Sequence, residues 1–146
     1  MRKINYIVVH CSATREGCTL TSEALEAEPR RRGFRTTGYH YYIRRDGTVL
    51  GTRSLELPGA HCRGHNKYSI GICYEGGLDA WGNPKDTRTP EQRSALHLLV
   101  YQLLQQFRNA RVCGHRDLSP DLDGDGTVEP WEWVKQCPCF EVSKEF

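Results

Sequence analysis

The run INYIVVH, residues 4–10, does most to limit what this chain can fold into. Its apolar, β-branched residues follow one another without alternation, so it has no side suited to water. A strand of this kind is covered on both faces, as interior strands of α/β sheets are. Four further segments extend the pattern. YHYYIRRDGTVL has two strand-like runs around Asp46-Gly47, a strong hairpin signal, and SIGICYEGG reads as a strand closed by glycines. From Thr89 a long helix is expected, with Pro90 at its first position and Gln92 completing a capping box. Its Leu96, Leu99, Val100, Leu103, Leu104 and Phe107 share one face and would pack on the sheet. RVCGH reads as a short buried strand ending at His115.

Two more helices are expected. TSEALEAEPRRRGF starts with Ser or Thr and ends at Gly33, with Pro29 dividing or kinking it near Glu28. PWEWVKQ reads as a brief final helix. No repeat, linker or low-complexity segment interrupts the chain. The expectation is one α/β domain over residues 1–146, with a central mixed β-sheet flanked by helices.

The 146 residues carry a net charge of +2, too little for a field that would favour nucleic acid. The one tight basic cluster, Arg30 to Arg32, reads as a solvated helix face. No stretch is long and apolar enough to span a membrane. MRKINYIVVH lacks the long apolar run and cleavage site of a signal peptide, so synthesis in a reducing cytoplasm is expected. There the seven cysteines, an odd number, suit metal ligation better than a disulfide framework.

Two strand-like runs end in histidine, at His10 and His115, where a rigid sheet can aim side chains into the loops beyond. A histidine at such a place is more often a hydrogen-bonded residue at the edge of the core. Cys137 alters that balance: two imidazoles and a thiolate would leave one position of a tetrahedral zinc open, as catalytic sites do. Spacing alone does not bring the three together, and no H-E-x-x-H motif is present.

Residues 121–132, DLDGDGTVEPWE, match the twelve-residue loop of a calcium-binding hand. Asp121, Asp123, Asp125, the Thr127 carbonyl and Glu132 would be the ligands, with Glu129 acting through water. The flank HRDLSP is a poor incoming helix and there is no second loop, so a calcium sensor is not expected. A single structural Ca²⁺ that orders the loop is one reading. An acidic turn whose glycines permit tight geometry is the other.

VVHCSAT, GFRTTGYHYYIRRDGTV, PGAHCRGHNKYSIGICYEGG, the TPEQ helix, GHRD and KQCPCF occur in this order across almost the whole chain. With these segments the sequence resembles the zinc-dependent N-acetylmuramoyl-L-alanine amidases of the phage lysozyme type, which share the fold of peptidoglycan recognition proteins. The resemblance implies one zinc ion held by His10, His115 and Cys137, catalytic roles for Tyr39 and Lys135, and a substrate groove lined by His61 and Asn66. It favours Cys137 over the rival thiol of Cys139, because the cysteine of K-x-C-P, two residues after Lys135, is Cys137. Zinc would activate water and polarise the amide. Lys135 would stabilise the oxyanion, and Tyr39 would hydrogen-bond the water or the oxyanion.

Two features depart from the pattern: the acidic loop is longer than the family's connection, and Glu28-Pro29 replaces an aromatic and a histidine. Among the other residues, His40 is expected to hydrogen-bond in the core, His65 to lie on a loop surface, and His97 to flank the helix stripe. Cys11, Cys73 and Cys113 are expected as buried free thiols, while Cys18 and Cys62 sit in loops where pairing would need an oxidising compartment.

The expected reaction is hydrolysis of the bond between N-acetylmuramic acid and L-alanine in peptidoglycan, by a monomer. It would act on the cell wall after release, for example as a phage or prophage lysin or by a non-Sec route, or else on wall fragments in the cytoplasm. The alternative is a non-catalytic module that binds muropeptides. Loss of the cysteine ligand usually marks that state, and Cys137 is present.

Overall fold

The computed structural model describes residues 2–18 and 38–146. The helix expected at TSEALEAEPRRRGF, with the Arg30 to Arg32 cluster, lies outside them. The described strands are β1 (Tyr6–Cys11), β2 (Thr14–Arg15), β3 (Tyr41–Ile43), β4 (Val49–Gly51), β5 (Ser69–Tyr74), β6 (Gly77–Leu78) and β7 (Arg111–Gly114). Helix α1 covers Pro90–Gln106. Five strands form a mixed sheet in the order β4-β3-β5-β1-β7, in which only β4 runs antiparallel to its neighbour. β2 and β6 pair separately, in parallel.

The unbroken apolar run of β1 is explained by its central place, between β5 and β7, with Ile7, Val8 and Val9 wholly buried. Ile7, Val9, Ile70 and Ile72 join Leu96, Leu99, Val100 and Leu103 of α1 in one core. Side chains alternate along a strand, so Val8, His10, Gly71 and Cys73 face the other side of the sheet. That second face carries the site.

Helix α1 begins as the capping box requires. Thr89 Oγ1 accepts the Gln92 N–H at 3.1 Å, and Gln92 Oε1 accepts the Thr89 N–H at 3.0 Å. Buried Gln92 also donates to the carbonyls of Ile43 and Glu75, which ties the helix start to the ends of β3 and β5. The hairpin turns where expected, with Gly47 at φ 88° and pressed against the Glu91 backbone, so a side chain there would be both strained and crowded.

PWEWVKQ departs from expectation. Only Pro130–Glu132 forms a single 3₁₀ turn. The Glu132 carboxylate turns back to accept the N–H groups of Leu122, Asp123 and Glu129, and the Arg116 guanidinium lies 3.8 Å from the Trp133 ring. These tertiary contacts hold the segment open where local propensity alone favours a helix.

Leu96→Ala, at a fully buried position, is expected to lower stability by about 3 kcal/mol. Thr89→Ala is expected to cost about 1 kcal/mol through the lost cap. Urea denaturation of both variants, with unchanged slope, checks these values.

Candidate metal centre and cleft

In parallel register, Val9 of β1 stands opposite Gly114 of β7, so the chain delivers His10 and His115 side by side at the carboxyl ends of neighbouring strands. Their ring centroids are 4.6 Å apart. Asp117 Oδ2 accepts the Gly114 N–H at 2.8 Å and holds the turn that begins at His115.

Cys137 arrives from the far end of the sequence and is fastened at three points. Arg116 N–H donates to the Cys137 carbonyl at 2.9 Å, and Tyr74 Oη donates to the Pro138 carbonyl at 2.6 Å. Cys11 N–H donates to Cys137 Sγ at 3.2 Å. One ligand atom from each of His10, His115 and Cys137 lies within 4.8 Å of the others. Cys139 does not join them. It has φ 70°, and its thiol donates to the Gly77 carbonyl at 3.3 Å, with Cys11 Sγ 4.0 Å away.

Burial first, then the neighbouring imidazoles and Lys135, push His10 well below the ordinary histidine range. Burial and then Lys135 bring His115 down to about 4. Neutral imidazoles have lone pairs to offer, and two of them with one sulfur form a donor set suited to zinc.

These residues line a cleft of about 1330 Å³, whose walls include Tyr39, His61, Asn66, Lys135 and Cys139. The Tyr39 ring lies 5.1 Å from that of His10. The buried Cys73 sulfur beside it, and then burial, push its phenol well above the ordinary range, so it stays protonated and able to donate. His61 and Asn66 line the cleft but also spend their polar atoms on the protein. His61 Nδ1 is 2.8 Å from His10 Nε2, and Asn66 Oδ1 accepts the N–H groups of His61 and Cys62 at 2.9 Å each. Tyr74, which holds the segment around Cys137, had no sequence signal, because Pro138 is brought near it only by folding, whereas Asp117 acts on Gly114 three residues away.

His40 is buried, accepts the Gly71 N–H at Nδ1 and donates to the Leu57 carbonyl from Nε2, as a core histidine does. His97 is an exposed partner of Glu145, and His65 is half-buried with its ring edge-on to Tyr6. All seven cysteines are free, with Cys11, Cys62, Cys73 and Cys113 buried. No helix among the described residues is long and apolar enough to cross a membrane.

In the acidic loop, carboxylate oxygens of Asp121, Asp123, Asp125 and Glu132 also lie within 4.8 Å of one another. The loop's own N–H groups engage the same side chains. Asp121 accepts those of Gly124 and Gly126, Asp123 that of Asp125, and Asp125 that of Thr127. Gly124 and Gly126 have φ of 71° and 88°, a tight geometry that either reading of the loop uses. Nothing beyond the carboxylate cluster supports the calcium expected there. The loop's flanks, Ser119, Pro120 and Val134, form part of the cleft wall.

A mixed sheet whose strand ends lie beside two gathered histidines and a cysteine defines the class: an α/β protein with a cleft whose donor set could hold a metal ion. The family is set by comparison. The model of the N-acetylmuramoyl-L-alanine amidase family matches residues 1–138, and the chain belongs to that family. The endolysin of Klebsiella phage KP32 is 34% identical over 143 residues, covering 98% of this chain and 85% of that protein. The solved structure of the N-acetylmuramoyl-L-alanine amidase LysC from Clostridium intestinale matches 99% of this chain and 82% of its own, with a TM-score of 0.75 and 26% identity. Bumblebee PGRP-SA shares the fold, with a TM-score of 0.74 at 22% identity over 99% of this chain and 81% of its own.

Glu132→Ala would release three loop N–H groups at once. Limited proteolysis is expected to cut this variant faster within residues 121–129, with the sheet and α1 still protected.

Proposed function

We propose that this chain is a zinc-dependent amidase that hydrolyses the bond between N-acetylmuramic acid and L-alanine in peptidoglycan. The observation that carries the reading is the convergence of His10, His115 and Cys137 donor atoms within 4.8 Å on the cleft, in a member of an amidase family. His10, His115 and Cys137 would hold the ion. When bound, zinc supplies Lewis acidity, which makes water acidic near neutrality and polarises the scissile carbonyl.

The chain's own residues supply the rest. Lys135 lines the cleft, and its charge is among the causes that lower the pKa of both imidazoles, which supports a role for its ammonium in stabilising the oxyanion. A cation beside the developing oxyanion stabilises the transition state more than the ground state. Tyr39, protonated and packed on His10, orients the attacking water or the oxyanion by hydrogen bonding. The Cys11 N–H bond to Cys137 Sγ helps hold the sulfur beside the two imidazoles. The similarity to a phage endolysin supports action on the cell wall after release from the cell that makes the protein.

Mass spectrometry of purified peptidoglycan, digested by the zinc-loaded protein, tests the reading. Stem peptides beginning at L-alanine are expected with zinc and absent with a chelator. Muropeptides that bind the protein but stay whole would make it a recognition module instead. Cys137→Ala is expected to abolish tight zinc binding and turnover, while Cys139→Ala retains both, as read by metal analysis and the digestion assay. Lys135→Ala and Tyr39→Phe are expected to keep stoichiometric zinc and lose about 100-fold or more in kcat. A near wild-type rate in either would remove its proposed role.

A further inference from the structure

We propose that His61 is a positioning residue: it accepts a hydrogen bond from His10 Nε2 and so fixes the tautomer in which His10 Nδ1 is free to bind the metal. The inference rests on the zinc reading above. It gives His61 a different task from the groove lining that the family resemblance implies.

The geometry is built around the ring. His61 Nδ1 lies 2.8 Å from His10 Nε2, so that nitrogen of His10 is already engaged and only Nδ1 remains for a metal. On its other side, His61 Nε2 lies 3.1 Å from the hydroxyl of the fully buried Ser69. Two glycines make the slot. A Cβ at Gly59 would fall 2.4 Å from the His61 ring, and one at Gly71 would fall 2.6 Å from it. The His61 backbone N–H is held by Asn66 Oδ1 at 2.9 Å. The residue is 8% exposed, and a ring confined in this way has little freedom to turn towards a substrate.

Only one proton arrangement along this chain leaves His10 competent. His10 Nε2–H donates to His61 Nδ1, and His61 Nε2–H donates to Ser69 Oγ. In the reverse arrangement His61 Nδ1–H donates to His10 Nε2, the His10 proton sits on Nδ1, and neither nitrogen of His10 has a lone pair left for a metal. The hydroxyl of Ser69 can accept or donate, so it tolerates the required direction. Partners of this kind on the remote nitrogen of a ligating histidine set its orientation and basicity.

Long-range ¹H–¹⁵N correlation spectra of the wild-type protein, metal-free and zinc-loaded, test this directly. The His10 proton is expected on Nε2 in both forms, and a proton on Nδ1 in either would overturn the proposal. In competition with a chromophoric chelator, His61→Ala is expected to bind zinc about 10- to 100-fold more weakly. His61→Asn places an amide oxygen near the acceptor position and is expected to restore most of that loss. Wild-type zinc affinity in folded His61→Ala, or a raised KM with unaltered affinity, would assign His61 to the substrate groove instead. If the alanine variant fails to fold, the wild-type spectra and the asparagine variant still decide. None of the metal and tautomer readouts needs turnover, so a failed digestion assay would count against the amidase reading alone.

Discussion

Parallel pairing of β1 with β7 is the constraint on which the cleft depends. Because Val9 faces Gly114, the next residue on each chain is a histidine, and two side chains about a hundred positions apart become neighbours. The same strand pairs with β5 on its other side, where His10 stands opposite Cys73 and Gly71 leaves room for the His61 ring. A slip of one residue in either pairing would turn His10 into the core and bring Val9 to the cleft. Burial of Ile7 and Val9 against α1 therefore does more than stabilise the fold. It locks the register that presents His10.

The third member of the centre is placed by hydrogen bonds, without help from a regular element. Arg116, Tyr74 and Cys11 each fasten the segment around Cys137, and the backbone then turns through a left-handed residue at Cys139. That turn separates the two thiols: one stays with the histidines, and the other goes to Gly77 and Cys11. The acidic loop that precedes the segment is closed on itself by Glu132, and its flanks form one wall of the cleft.

Much of the framework was legible because its causes are local. The hairpin at Asp46-Gly47 follows from a glycine that tolerates φ 88°, and the start of α1 from reciprocal bonds between residues three apart. Two things were not legible. PWEWVKQ has helical composition, but Glu132 and Trp133 are engaged by the acidic loop and Arg116, which no local pattern records. His61 lines the cleft, and its ring is also slotted between Gly59 and Gly71 against His10, a contact across 51 positions that no local pattern records.

By itself the sequence determined the strands, the capped helix and the kinds of donor available: imidazoles at strand ends, a thiol before a proline and a run of carboxylates. Those follow from side-chain periodicity and short-range backbone chemistry, which operate within a few residues. Only the tertiary structure decided which donors meet, which cysteine stands with the histidines, and which nitrogen of His10 is already engaged. Each of these depends on strand register and on hydrogen bonds between distant segments, and such distances exist only once the chain has closed on itself.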